Sequence, residues 1–148
     1  MNLTKKYAFP FLIVTIFATL HNNALAETGN NPSYPAKELL STSTTILGQK
    51  ITYPTGDAHV TAAIVTMEPG ARTILHKHDV PLFAYILEGE LTVDYGKYGT
   101  RVYKQGQTLI EAVGTPHYGV NTGTQTMRLI GVYMGAQGAK DVTPIDER

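Results

Sequence analysis

From Leu39 onward the chain is a series of short segments that favour extended backbone, each closed by glycine or proline, and this punctuation constrains the fold more than any other feature. The expected strands are 44–47, 61–67, 73–78, 82–87, 91–95, 101–104, 108–112, 118–121 and 127–133. No stretch carries the sustained 3.6-residue apolar period of an amphipathic helix. Many short antiparallel strands with regular turns predict an all-β domain, either a sandwich or a barrel.

Ahead of this region lie two segments of different character. Lys5 and Lys6 precede a mostly apolar stretch over 7–20, and Ala24-Leu25-Ala26 supplies the small residues of a leader cleavage site. The apolar stretch is shorter than the ~20 residues a membrane-spanning helix needs. Residues 1–26 therefore read as a signal peptide, with a mature chain starting at Glu27 and a periplasmic or secreted location. Residues 27–38, with Gly29, Asn30, Asn31, Pro32 and Pro35, read as a flexible arm. The domain itself is expected over 39–148.

Charge and cysteine content narrow the partners. Twelve basic residues balance twelve acidic ones, and the leader takes away only lysines, so the mature chain is slightly acidic with no basic block. That composition points away from nucleic acid and, after leader removal, from membranes. The absence of cysteine excludes disulfides, a thiol nucleophile and a lipidated cysteine. Stability must come from core packing and, where one is bound, a metal.

Three histidines form the candidate site. His76 and His78 are separated by one residue, so on a strand both imidazoles project from the same face. His117, on another expected strand, can complete a triangle of neutral nitrogen donors, which suits zinc, copper, iron or nickel. His59 lies outside this set and reads as a solvent-facing residue.

The spacing around these histidines resembles the two motifs of the cupins. Gly70, five residues, His76-Lys77-His78 and then Gly89 is similar to G(X)5HXH(X)3,4E(X)6G. Gly106, Ala112, Gly114, His117 and Asn121 are similar to G(X)5PXG(X)2H(X)3N, with alanine in place of proline. The resemblance covers roughly 60–135 and implies a double-stranded β-helix, the jelly-roll barrel, with His76, His78 and His117 as metal ligands. It implies for Asn121 an ordering of the adjacent turn, since asparagine is a poor ligand and a good local hydrogen-bonder.

One position departs from the pattern in a way that matters. Where the cupin motif has a glutamate ligand the chain has Leu82, or Phe83 under the longer spacing. Glu88, Glu90 and Glu111 are candidate replacements, and Glu111, six residues before His117, is the best placed. As most glutamates are solvated, the expectation for Glu111 is a rim carboxylate. Tyr95, Tyr98, Tyr103 and Tyr118 could line a cavity mouth, although strand propensity accounts for them equally well. Tyr118, next to His117, should point to the opposite face.

The segment 81–87 is apolar at every position, as in a strand covered on both faces. Leu82, Ala84 and Ile86 should face the barrel interior, and Phe83, Tyr85 and Leu87 a homodimer partner, given how commonly cupins dimerise. The function implied is an exported metal-binding cupin acting on a small molecule. It reads as an oxygenase similar to the quercetin dioxygenases, or as a non-catalytic ligand-binding or structural relative.

Overall fold

The computed structural model describes residues 35–146, so the expected leader (1–26) and residues 27–34 of the arm lie outside the described residues. Within them the chain forms nine strands, β1 Ala58–Met67, β2 His76–Lys77, β3 Leu82–Glu88, β4 Glu90–Asp94, β5 Thr100–Lys104, β6 Thr108–Ile110, β7 Tyr118–Val120, β8 Met127–Ala136 and β9 Thr143–Pro144. The only helical element among the described residues is a 3-10 turn at Gly96–Tyr98. No helix there is long and apolar enough to cross a membrane.

The strands form a four-stranded sheet in the order β1-β8-β3-β6, a three-stranded sheet β5-β4-β7 and a small β2-β9 pair, all antiparallel. Consecutive strands β3 and β4 fall in different sheets, and β8, although it follows β7 of the smaller sheet, lies between β1 and β3 of the larger one. This is jelly-roll wiring. Expected and observed strands differ mainly in length. The 73–78 segment shrinks to His76–Lys77, and 44–47 reduces to a single bridge between Thr44 and Lys50.

Alternation along β3 sets the inner face. Leu82, Ala84 and Ile86 are buried while Phe83 and Tyr85 are half-buried, as the period of two requires. Ile86 packs with Met67, Met127 and Leu129 from the larger sheet and with Leu91, Val93 and Tyr103 from the smaller one, so the core lies between the two sheets. Each aliphatic chain buried there contributes about 1.5–3 kcal/mol.

The turn joining β3 and β4 shows why the first motif needs its second glycine. Gly89 adopts φ 71°, in the left-handed region. A Cβ at this position would also stand 2.9 Å from the Thr126 carbonyl oxygen, backbone that cannot swing away.

Asn121 performs the ordering role expected of it. Fully buried, it donates from Nδ2 to the carbonyls of Met67 (2.9 Å) and Gln125 (2.8 Å), and its Oδ1 accepts the Gly123 N–H at 3.0 Å. One side chain thereby ties the end of β1 to the turn between β7 and β8.

Candidate metal centre

Backbone pairing, before any side chain is considered, brings the three histidines together. His76 and His117 sit opposite one another and exchange both hydrogen bonds, 3.0 Å from the His76 N–H and 2.8 Å from the His117 N–H. His78 lies beside Val113 in a parallel bridge, with the Gly114 N–H donating to its carbonyl at 2.8 Å. Lys77, between the two histidines, points the other way and pairs with Asp79 at 3.0 Å. The ring centroids of the three histidines are 4.6–5.0 Å apart.

Three backbone carbonyls fix which nitrogen each ring presents. The Nδ1–H of His76 donates to the Ile74 carbonyl, that of His78 to Asp141 and that of His117 to Thr115, each at 2.8 Å. A carbonyl can only accept, so each Nδ1 carries the proton and each Nε2 keeps its lone pair. One ligand nitrogen from each ring lies within 4.8 Å of the others. Donors about 2.1 Å from a common ion stand roughly 3–3.4 Å apart in octahedral or tetrahedral geometry, so small ring movements suffice to close on a transition metal. The residues fit such an ion, and the carbonyl partners are of the kind that orient metal-bound imidazoles.

Burial keeps these rings ready. Desolvation lowers the His78 pKa from 6.5 to about 4, against the opposing effect of its bond to Asp141, with charge on His117 and His76 lowering it further. His76 is lowered too, again by burial first. Neither ring needs to shed a proton near neutral pH to bind metal.

The histidines sit in the wall of a cavity of about 240 Å³ whose other lining is largely aliphatic, including Val65, Leu82, Val93, Leu109 and Leu129. No lysine or arginine is among its lining residues. Leu82 faces into it, as expected of the position that carries glutamate in the cupin motif.

One expectation needs correction. Glu111 is not a rim carboxylate: it is 6% exposed, lines the cavity, and places Oε2 3.8 Å from Nε2 of His117. The reason lies in its pairing, for its N–H donates to the Leu82 carbonyl at 2.9 Å and so continues the β3–β6 ladder by one residue. Of the two readings open for the four candidate tyrosines, the structure favours strand packing over a place in the cavity wall. Tyr95 and Tyr103 are packed in the core with their hydroxyls 3.3 Å apart, and Tyr98 is exposed. Tyr118 points away as expected, donating to Asp94 at 2.9 Å beneath the guanidinium of Arg72. Tyr133 lines the cavity instead, its ring 5.5 Å from that of His78. His59 is exposed on β1, as expected.

Sequence reasoning also missed the strand that closes the site. β9 pairs with β2, setting Pro144 opposite His76 and Thr143 opposite Lys77. A two-residue strand holding a proline carries no periodic signal.

Residues 63–133 match the family model described as the cupin domain. No curated protein matches the chain. Among solved structures, the polyketide cyclase RemF from Streptomyces resistomycificus aligns with a TM-score of 0.52 at 22% identity, over 63% of this chain and 64% of that one. The Lactobacillus farciminis oxalate decarboxylase formate complex aligns at 0.51 and 21% identity, over 58% of this chain and 26% of that one. An oxalate oxidase bound to the substrate analogue glycolate aligns at 0.50 and 21% identity, over 58% and 46%. This chain thus spans less than two thirds of each of these proteins, and the likeness is one of fold. With the family match, both motifs, the jelly-roll wiring and the converging histidines in agreement, the chain carries a small cupin domain with a three-histidine group able to hold a metal ion.

Proposed function

We propose that the protein is an exported, metal-dependent oxygenase acting on a small and mainly apolar molecule that bears an oxygen donor, such as a phenol or an enol. The observation that carries this reading is the convergence of three Nε2 lone pairs on the wall of an aliphatic cavity. A divalent iron, manganese, nickel or copper ion held there would supply Lewis acidity toward a bound oxygen and a redox path to dioxygen. The chain's own part is to hold and orient. The Ile74, Asp141 and Thr115 carbonyls lock the three rings, while Leu82, Val93 and Leu129 exclude water and hold the carbon skeleton of the substrate.

The lining chemistry argues against carrying over the substrates printed for two structural neighbours. A small dicarboxylate such as oxalate would enter a cavity whose lining holds no lysine or arginine, and its second carboxylate would be desolvated without a partner. An uncharged aromatic or enolic molecule suffers no such penalty.

Export rests on the leader-like residues 1–26, and a homodimer on the half-buried Phe83, Tyr85 and Leu87 of β3 together with the exposed Val60 and Ile64 of β1. Elemental analysis of protein recovered from its export compartment, followed by oxygen uptake with a panel of phenols, tests the function. A redox-active ion near one per chain and phenol-dependent oxygen uptake are expected. Zinc or no metal, with no uptake, would leave a binding or structural cupin instead.

A further inference from the structure

Glu111 and Leu82 are cross-strand partners. Their strands pair through Phe83 with Ile110 and Ala84 with Leu109, and the Glu111 N–H bond to the Leu82 carbonyl extends that register by one step. Directly opposed residues share a face, with Cβ atoms about 4.5–5.5 Å apart. Both side chains accordingly line the cavity that holds the three histidines. A carboxylate at either position addresses the same space.

The Glu111 carboxylate is placed as a charge held for a partner. Oε1 accepts the Ala112 N–H at 2.8 Å, which fixes the group, and Oε2 is turned toward His117 Nε2 at 3.8 Å. The carboxylate is buried, and His117 is its one ion-pair partner among the described residues. The cavity lining offers it no lysine or arginine. Burying an anion in this way is costly unless a cation or strong donors meet it. Tyr95, whose phenol is held protonated by burial first and by the Glu111 charge second, also hydrogen-bonds with Glu111 but brings no positive charge.

We propose that Glu111 is the anionic group of the metal centre, supplied by the strand next to β3 in place of the glutamate that Leu82 replaces. Three neutral imidazoles and one carboxylate then face the ion, reducing two formal positive charges to one. The sequence position changes while the point in space is retained. This inference rests on the three histidines binding a metal, and the test separates the two.

Mature wild-type protein and Glu111→Gln are titrated with Mn(II) and with Zn(II) against a competing chelator. Glutamine keeps an oxygen to accept the Ala112 N–H, so the metal-free variant should fold, and the charge alone is removed. Glu111→Gln should weaken metal binding by at least about 100-fold, more than the loss of a hydrogen-bonding partner behind a ligand usually costs. The double variant Leu82→Glu/Glu111→Gln should regain most of that affinity, because the carboxylate returns across the strand pair. Equal affinity in wild type and Glu111→Gln would overturn the role of Glu111 and leave the three-histidine site standing. Wild type that binds neither ion would overturn both. Should Glu111→Gln fail to fold, a crystal structure of Zn(II)-loaded wild type decides: a Glu111 oxygen about 2.0–2.2 Å from the ion supports the proposal, and a carboxylate turned away from the ion ends it.

Discussion

His76 and His117 are joined by two backbone hydrogen bonds, 3.0 and 2.8 Å long, across forty residues of intervening barrel. Their side chains meet because their main chains do. Alanine at either position removes a ligand without touching that pairing. His76→Ala and His117→Ala should each lower metal content at least tenfold, while far-UV circular dichroism of the metal-free variants stays as in wild type. Wild-type metal content in a His76→Ala/His78→Ala double variant would dismiss the site.

Leu82→Glu alone tests the vacant motif position. Without metal the variant places two carboxylates on neighbouring strands of one cavity, so it should lose several kcal/mol. Added Mn(II) should raise its melting temperature more than it raises that of wild type. Equal destabilisation with and without metal would mean that residue 82 does not face the histidines.

Acid should destabilise the metal-free protein through His78. Its folded pKa is about 4, against 6.5 when free, so the unfolded chain takes up the proton first as the pH falls. The contribution is fully present above about pH 6.5 and declines from there toward pH 4, with about 2 kcal/mol gone by pH 5. His76 is shifted in the same direction and adds to the loss. In urea titrations at pH 7 and pH 5, His78→Asn should show a smaller change in midpoint than wild type. An identical change would assign the acid sensitivity elsewhere.

Asn121→Ala should cost about 2–4 kcal/mol, as it leaves two buried carbonyls and one N–H without their partner. Gly89→Ala should cost a similar amount, on the order of 2 kcal/mol, through its positive φ and the 2.9 Å approach to Thr126. Both are measured by chemical denaturation. Metal affinity of the folded fraction should be unchanged in the Gly89 variant, since that turn lies outside the cavity lining.

Phe83→Asp should shift a homodimer to monomer in sedimentation velocity. An already monomeric wild type would discard the expected assembly.

Much of this was written in local chemistry. Glycines at 70, 89 and 106 mark turns, the alternation in 82–87 sets an inner face, and the one-residue spacing of His76 and His78 puts two ligands together. What stayed hidden depends on register between strands far apart in sequence. Nothing near Glu111 announces that it lies opposite Leu82, and solvated glutamates are so common that its burial had no local signal. Tyr133 was passed over for the same reason, because its approach to His78 is set by the pairing of β8 with β3. β9 was beyond reach, being two residues long and defined only by its partner.

That last strand ties the centre to the C-terminal segment. His78 depends for its orientation on Asp141, sixty-three positions along the chain, and His76 lies against Pro144. Contacts of such separation carry the entropy cost of closing the intervening loop. A zinc finger folds around its ion. Here three nitrogens share one focus only where segments distant in sequence have met, so metal uptake would certify a completed domain, and a bound ion would act as a latch on the C-terminal segment that holds His78.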